Sequence, residues 1–160
     1  SDEELFYLCL PHLKEVGLAP DSMNQQDIDR LTLLCTTFRD HISYGAQIKD
    51  HVGMFMGETV FLEEGHEEEL RAVLNEETAP TVLNAFRNAL AELDEITPEV
   101  VKTTIKAVMK ETALKGKFVF MPIRVALTGQ MHGPDLNNIV TLLGKEKCLH
   151  NLDNVSALTK

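Results

Sequence analysis

The sequence predicts an all-α fold of two small helical subdomains, over residues 1–95 and 96–160. Apolar residues recur at three- and four-residue spacings along most of the chain, which is the pattern of amphipathic helices. Helix start signals precede several of these segments, and no segment of any length alternates apolar and polar residues as a half-buried strand does. With 160 residues and 44% hydrophobic content, the chain can form one core or two small ones.

The first two helices are predicted over 2–16 and about 24–42. Ser1 is placed to cap the first helix, the acids at 2–4 lie at the positive end of its dipole, and the sequence at 17–22 ends it. The predicted buried faces comprise Leu5, Leu8, Cys9, His12, Leu13 and Val16 in the first helix, and Ile28, Leu31, Leu34, Cys35 and Phe38 in the second.

The middle of the chain combines a short apolar segment with two further helices. The apolar residues that end the sequence AQIKDHVGMFM are predicted to fill a core rather than a cofactor site: Met54, Phe55 and Met56. A helix is predicted from about His66, and the acids at 67–69 form its solvated first turn. Thr78 and Pro80 open the next helix. Its predicted apolar face contains Val82, Leu83, Phe86, Leu90 and Leu93.

The C-terminal part begins with a strong helix start signal, Thr97 followed by Pro98. This helix is predicted to reach about Leu114 and to stop at Gly116. The residues KFVFM at 117–121 are compatible with an extended segment, although five residues do not make a sheet. Shorter helices are predicted over 123–128, 135–142 and 145–157, with Gly144 as a break.

Charge is unevenly distributed along the chain. The net charge of −10 argues by itself against a nucleic-acid binder. However, residues 1–100 carry 6 Lys/Arg and 21 Asp/Glu, whereas residues 101–160 carry 9 and 4. Charge alone leaves two interpretations open: a polyanion-binding face in the second part, or two solvated surfaces of different charge.

The sequence contains no nucleophile elbow, no Gly-rich phosphate loop, no HExxH zinc motif and no paired CxxC. Cys9, Cys35 and Cys148 are interpreted as buried thiols in a reducing compartment, and the histidines lack metal-ligand spacing. No apolar run is long enough to span a membrane, and the acidic N-terminus is unlike a signal peptide. We therefore expect a cytoplasmic binding module with neither catalytic nor metal-ligating residues.

Three motifs, GKFVFMPIRVALTG, HGPDL and LLGKEK, follow one another between residues 116 and 147. Their order and spacing resemble the C-terminal part of bacterial-type glutamyl-tRNA synthetases, and the upstream sequences DEELFYLCLPHL and IDRLTLLCTTFRDHISYGAQI also fit that family. The resemblance implies an anticodon-binding region of two helical subdomains within a class I glutamate–tRNA ligase.

The same resemblance implies that ATP with Mg²⁺ and glutamate bind to a catalytic domain whose signature motifs are missing from this sequence. The chain itself is thus expected to hold no cofactor and to catalyse no reaction. Its implied partner is tRNA(Glu), with tRNA(Gln) as a second candidate, and it is expected to be a monomer that does not bind membranes.

By resemblance, four residues meet the first two anticodon bases: Arg124, Gly133, Pro134 and Leu136. An anticodon loop offers unstacked bases, and the planar guanidinium of Arg124 can pair with a base edge or stack on it. Gly133 lets a base approach the backbone, Pro134 offers a flat apolar face, and Leu136 packs against a base. The alternative for Arg124 is a purely structural role as a cap to backbone carbonyls.

The third anticodon base is assigned to the first subdomain, where the sequence departs from the family pattern. Members specific for tRNA(Glu) carry an Arg on the helix that contains TTFRDHIS, and ungapped alignment puts His41 at that position. Either His41 reads the base with weaker discrimination, or Arg39 reads it and His41 faces the core. A different class of function, an all-α protein-interaction module that docks through VGMFM and the acidic face, leaves the three motifs unexplained.

Overall fold

The computed structural model describes residues 1–160, and its regular secondary structure is helical throughout. The α-helices are α1 (Asp2–Glu15), α2 (Gln25–Thr37), α3 (Glu67–Leu74), α4 (Ala79–Ala91), α5 (Pro98–Thr112), α6 (Lys117–Thr128), α7 (Leu136–Leu143) and α8 (Lys145–Asp153). Short 3₁₀ helices cover Arg39–His41, Gly45–Asp50, Gly53–Phe55 and Val155–Leu158. The all-α prediction is confirmed. None of these helices combines the length and the apolarity that crossing a membrane requires.

The chain divides into two compact units, Ser1–Gly57 and Glu58–Lys160. This division differs from the subdomain boundary that the sequence places between residues 95 and 96. The predicted boundary falls in the connection between α4 and α5, and these two helices pack against each other within the second unit. The charge pattern therefore changes sign inside one packed unit, because surface charge does not determine which helices share a core.

In the first unit, local signals set the helix starts. The Ser1 hydroxyl accepts a hydrogen bond from the Glu4 N–H at 3.2 Å, as the predicted cap requires. Asn24 begins α2 through a capping box that the sequence reading missed. Its side-chain oxygen accepts from the Asp27 N–H at 2.8 Å, and the Asp27 carboxylate accepts from the Asn24 N–H at 3.0 Å.

The buried face of α1 is rotated relative to the predicted one. Phe6, Cys9 and Leu13 are buried, whereas Leu8 is 62% exposed. The reason is that α1 packs against both α2 and the 3₁₀ helix Gly45–Asp50. Gly45 lies against the backbone of α1, and a Cβ at that position would sit 2.2 Å from the Leu8 carbonyl oxygen. Leu8 thus contributes backbone, not side chain, to this contact.

The prediction that the residues ending AQIKDHVGMFM fill a core is wrong in part. Met54 and Phe55 are half-buried, and Met56 is 41% exposed. The buried apolar residues of this segment are Ile48 and Val52 instead. Because the segment forms tight 3₁₀ turns, its last residues lie at the surface of the first unit.

The second unit is built around α4 and α6. In this unit α4 packs against α5, α6 and α8, while α7 packs against α5 and α8. Predicted start signals are confirmed at Thr97, whose hydroxyl accepts from the Val100 N–H at 3.2 Å, and at Pro98 in the first turn of α5. That helix ends at Thr112, slightly before the predicted Leu114, where Ala113 adopts a left-handed conformation with φ of 59°.

The segment KFVFM is helical, so the extended conformation considered for it is wrong. It forms the first half of α6, which continues through Pro122 to Thr128. Val119 and Ile123 are four residues apart on one face of this helix, and both are fully buried. Burial of this apolar face compensates for the backbone hydrogen bond that Pro122 cannot donate.

Candidate nucleic-acid interface

Arg124 lies on α6, one helical turn before its end, and that end is tightly fixed. The Thr128 hydroxyl donates to the Arg124 carbonyl at 2.7 Å and accepts from the Gln130 N–H at 3.1 Å. Gly129 follows with φ of +72°, and a Cβ there would lie 2.0 Å from the Phe61 carbonyl oxygen. The end of α6 is therefore a position at which only glycine fits.

Arg124 and the turn at 132–136 form one structure, which we call the arginine–turn site. The Arg124 Nη2 donates a hydrogen bond to the Pro134 carbonyl at 2.8 Å. Gly133 lies directly beside the same guanidinium, because a Cβ at this position would be 2.9 Å from the Arg124 Nη1. The sequence analysis predicts that a base approaches the backbone at Gly133. The guanidinium occupies part of that space.

The guanidinium of Arg124 is half-buried, and burial lowers its pKa, an effect that the Asp135 carboxylate opposes. An arginine stays charged under such conditions. The bond to Pro134 is the single hydrogen bond that its side chain makes to the protein, whereas a guanidinium has five N–H donors. Arg124 therefore both caps a carbonyl, as in the structural alternative, and keeps donors for a ligand.

The other predicted residues of this site differ in accessibility. Pro134 is half-buried and Gly133 is exposed, so both are within reach of a ligand. Leu136 is only 4% exposed and belongs to the core, which does not favour the predicted packing of its side chain against a base.

Asp135 caps α7, and its carboxylate accepts from the N–H groups of Asn137 at 2.7 Å and Asn138 at 3.3 Å.

In the first unit, the two candidates for the third base lie on the 3₁₀ helix Arg39–His41, and both are exposed. Arg39 forms an ion pair with Asp2, which no sequence pattern indicated. His41 contacts the Phe38 ring edge-to-face at a centroid distance of 6.2 Å. The alternative in which His41 faces the core is therefore wrong, although which of the two side chains reads a base stays a prediction.

A second histidine completes the surroundings of His41. The His51 ring stacks on Phe38 with a centroid distance of 5.4 Å, and its Nε2 lies 3.2 Å from the His41 carbonyl oxygen. A carbonyl only accepts hydrogen bonds, so the Nε2 of His51 carries the proton in this arrangement. His51 thereby fixes the backbone of His41, while the His41 ring remains at the surface.

Three lysines form a basic stripe on α5. The sequence analysis noted the positive net charge of residues 101–160 but not this stripe. Lys102, Lys106 and Lys110 are four residues apart, which places them on one face, and all three are exposed. None of them has a carboxylate at ion-pair distance. Their regular spacing was the signal that could have revealed a surface suited to phosphates.

The three cysteines are free thiols, and all are fully buried, as predicted. Burial raises the pKa of Cys35 and of Cys148 to about 12, and it raises the pKa of Cys9 as well. Such thiols are poor nucleophiles and poor metal ligands. No three side chains among His, Cys, Asp and Glu lie close enough together to hold a metal ion.

Comparison with known proteins gives a consistent result. A family model described as "Anticodon binding domain" matches residues 4–156. The glutamate–tRNA ligase of Lysinibacillus sphaericus is 42% identical over 153 residues, which cover 96% of this chain and 31% of that protein. The glutamate–tRNA ligase of Bacillus subtilis is 39% identical with the same coverage of both chains. The chain thus spans about a third of the length of these curated relatives.

Among solved structures, the chain resembles a glutamate tRNA ligase from Elizabethkingia meningosepticum that was crystallised with its amino acid. The TM-score is 0.80 at 19% sequence identity, and the match covers 100% of this chain and 30% of that one. The glutamate–tRNA synthetase of Elizabethkingia anophelis matches with a TM-score of 0.73 at 17% identity, over 97% of this chain and 28% of that chain. At such low identity, these matches establish the fold alone.

Proposed function

Because this chain belongs to the family of anticodon-binding domains found in glutamate–tRNA ligases, we propose that it is the tRNA-reading part of such a ligase. In this proposal it binds the anticodon loop of tRNA(Glu), and a separate part of the enzyme attaches glutamate to the tRNA. Activation of glutamate there uses ATP with Mg²⁺. We further propose that the ligase is a cytoplasmic monomer.

The arginine–turn site is the observation that supports this function best. Arg124 is oriented by Pro134 and Gly133, yet most of its N–H donors remain for a ligand. A fixed planar fork of donors is suited to the acceptors on a base edge, and anticodon bases are unstacked and accessible. We propose that Arg124 contacts one of the first two anticodon bases, with Gly133 and Pro134 beside the same base.

Leu136 has a different role in this proposal from the one that the sequence suggests. Because its side chain is 4% exposed, it supports the start of α7 from within the core and orients the turn. The exposed stripe of Lys102, Lys106 and Lys110 is proposed to contact phosphates, which carry affinity but no sequence information.

The 3₁₀ helix Arg39–His41 is proposed to meet the third anticodon base. His41 is the candidate reader because Arg39 already pairs with Asp2. A neutral imidazole has one donor and one acceptor, so it satisfies either cytosine, the third base of the glutamate anticodon, or guanine, which the glutamine anticodon has there. The proposal therefore includes weak discrimination between tRNA(Glu) and tRNA(Gln) at this position.

An NMR titration with an anticodon-stem-loop RNA hairpin tests the function. Amide shifts are expected in the arginine–turn site and along the basic stripe of α5, whereas residues 60–95 are expected to stay unchanged. Affinity should fall steeply as salt rises, because phosphate contacts release counterions. Uniform shifts over residues 60–160, or salt-independent binding, would count against the proposal.

A further inference from the structure

Two of the three buried thiols contact each other between α1 and α2. Cys9 lies on the buried face of α1 and Cys35 on the buried face of α2, and neither is exposed to solvent. Their side chains form a hydrogen bond with each other. Two sulfur atoms in such contact need to approach by only about an ångström or two to reach the roughly 2 Å of an S–S bond.

The third thiol, Cys148, is equally buried but has no thiol beside it. It belongs to the second unit, whereas Cys9 and Cys35 belong to the first. The Cys148 Sγ donates a hydrogen bond to the Val140 carbonyl at 3.8 Å. The chain therefore holds one pair of thiols and one isolated thiol, all at the same degree of burial.

The thiol pair lies within an antiparallel pair of helices. Asp2, at the start of α1, forms an ion pair with Arg39, which directly follows the end of α2. Cys9 comes about two turns after Asp2, and Cys35 comes about one turn before Arg39. A bond between the two sulfurs would join α1 to the last turn of α2, and it would thereby restrain the 3₁₀ helix Arg39–His41.

In the closed helix pair both thiols are protected. Burial raises the pKa of each thiol, to about 12 for Cys35, so neither is a thiolate near neutral pH. Oxidation therefore passes through a local opening of the first unit that exposes one sulfur. When the helices close again, they return this sulfur to contact with the other thiol.

We propose that Cys9 and Cys35 form a disulfide when the chain meets a peroxide, and that this bond is a redox-sensitive lock on the pair α1–α2. During an opening, the thiolate of one cysteine attacks hydrogen peroxide, the O–O bond breaks, and a sulfenic acid and hydroxide form. After closure the second sulfur attacks the sulfenic sulfur, so that the S–S bond forms and the S–O bond breaks with loss of water. Two thiols thus lose two electrons and two protons, and one peroxide becomes two waters.

The lock acts mainly by restricting the opened chain, which can no longer separate α1 from α2. Amide hydrogen exchange in these two helices is expected to slow by about ten- to a hundredfold in the oxidised chain, and exchange at Arg39–His41 should slow as well. Helices α4 to α8 of the second unit should exchange as before. Both forms are the wild-type chain, so this comparison does not depend on the folding of a variant.

The bond itself is identified by titrating the native chain with hydrogen peroxide, blocking free thiols with N-ethylmaleimide in denaturant, and digesting with trypsin. Trypsin cuts after Lys14 and after Arg30, so Cys9 and Cys35 lie on different peptides. Mass spectrometry is expected to find these two peptides linked, at a mass lower by two hydrogens than their sum. Dithiothreitol should separate them, and the peptide of Cys148 should remain unlinked.

Single substitutions supply the controls. Cys148→Ala is the matched control, because it removes a buried thiol outside the pair and should leave the linked peptides and the slowed exchange unchanged. Cys9→Ala and Cys35→Ala should each abolish the linked peptides and the effect of peroxide on exchange in α1 and α2.

Two results would overturn the proposal. One is the absence of linked peptides after peroxide has fully oxidised Met56, a methionine that is 41% exposed. The other is linkage of Cys148 to Cys9 or Cys35 in equal yield, which would show reaction of the unfolded chain. RNA takes no part in the experiment, so failure of the proposed function would leave this inference standing, and the reverse also holds.

Discussion

The two regions proposed to read bases differ in how firmly the fold holds their side chains. In the second unit, Arg124 is half-buried, bonded to Pro134 at 2.8 Å and closely packed beside Gly133. In the first unit, Arg39 and His41 are exposed on a short 3₁₀ helix. A side chain that is already ordered loses less conformational entropy on binding than an exposed one. We therefore expect the second unit to provide stringent base recognition and the first unit to provide adaptable recognition.

The largest expected effect is on the rate at which a thiol reagent labels the buried cysteines, which reports the stability of each unit. Cys35 in the first unit and Cys148 in the second are fully buried, so labelling should be slowed by roughly a thousandfold or more relative to the unfolded chain. The first unit is smaller, and small units bury a smaller fraction of their surface. Mass spectrometry of the labelled chain should thus show Cys35 modified before Cys148; the reverse order would contradict the comparison.

The same thiols make the free energy of unfolding depend on pH. Their pKa is raised to about 12 in the folded chain, whereas an unfolded cysteine ionises near 8.5. The unfolded state thus loses its thiol protons first as pH rises. The stabilising contribution is therefore complete below about pH 8.5 and is lost progressively towards pH 12. Urea titrations at pH 7.5 and 10 should show the lower midpoint at pH 10, and Cys148→Ala should reduce this difference.

The next effect tests whether the end of α6 is as rigid as the comparison assumes. Gly129→Ala combines a positive φ with a Cβ 2.0 Å from the Phe61 carbonyl oxygen, so it should destabilise the chain by about 3–5 kcal/mol. Gly17→Ala is the matched control, because Gly17 has φ of +82° with no atom near its Cβ position. It should cost about 1 kcal/mol. Equal costs in thermal unfolding would show that the Phe61 contact is unimportant.

A smaller effect is expected in the stability that Arg124 and Arg39 each contribute. Arg124→Ala removes the hydrogen bond that the guanidinium donates to the carbonyl of the half-buried Pro134. Loss of this bond should cost about 1–2 kcal/mol of stability. Arg39→Ala, which removes an exposed ion pair with Asp2, should cost less than about 1 kcal/mol. Chemical denaturation of both variants measures the difference, and a larger loss for Arg39→Ala would reverse the comparison.

The smallest effect concerns His41. Replacement of His41 by Arg should raise the preference for a hairpin with the glutamate anticodon over one with the glutamine anticodon, by about 1 kcal/mol. The reason is that a charged fork only donates and thus disfavours the edge donors of guanine. Arg39→Ala is the comparison variant. If only this variant changes the ratio of the two hairpin affinities, Arg39 and not His41 reads the third base.

Much of the fold was predictable because it depends on local signals. Ser1 and Thr97 cap their helices as predicted, since a cap requires only a side chain and the next few N–H groups. The helical state of KFVFM was not predictable locally, because Pro122 disfavours a helix that burial of Val119 stabilises. The unit boundary at Gly57 was missed for a related reason: it depends on which helices pack together, not on charge.

The residues proposed for the candidate site come from the motifs, whereas their geometry comes from the structure. The motifs predict a site that contains Arg124 and Gly133, yet nothing in the sequence shows that the guanidinium fills the space beside Gly133. Contacts between residues nine or ten positions apart depend on how the helix and the turn meet. The same holds for the burial of Leu136 and for the Arg39–Asp2 pair, which joins the beginning of α1 to the region after α2.

The central claim, that Arg124 is a fixed reader of an anticodon base, is tested most directly by the variant Arg124→Lys. Lysine keeps the positive charge and a donor for the Pro134 carbonyl but lacks the planar fork. The measurement is the affinity of both chains for the glutamate anticodon hairpin and for the same stem with a scrambled loop. We expect the variant to lose about tenfold affinity for the anticodon hairpin alone, with an unchanged melting temperature. Equal affinities of the two chains for the anticodon hairpin would contradict the claim.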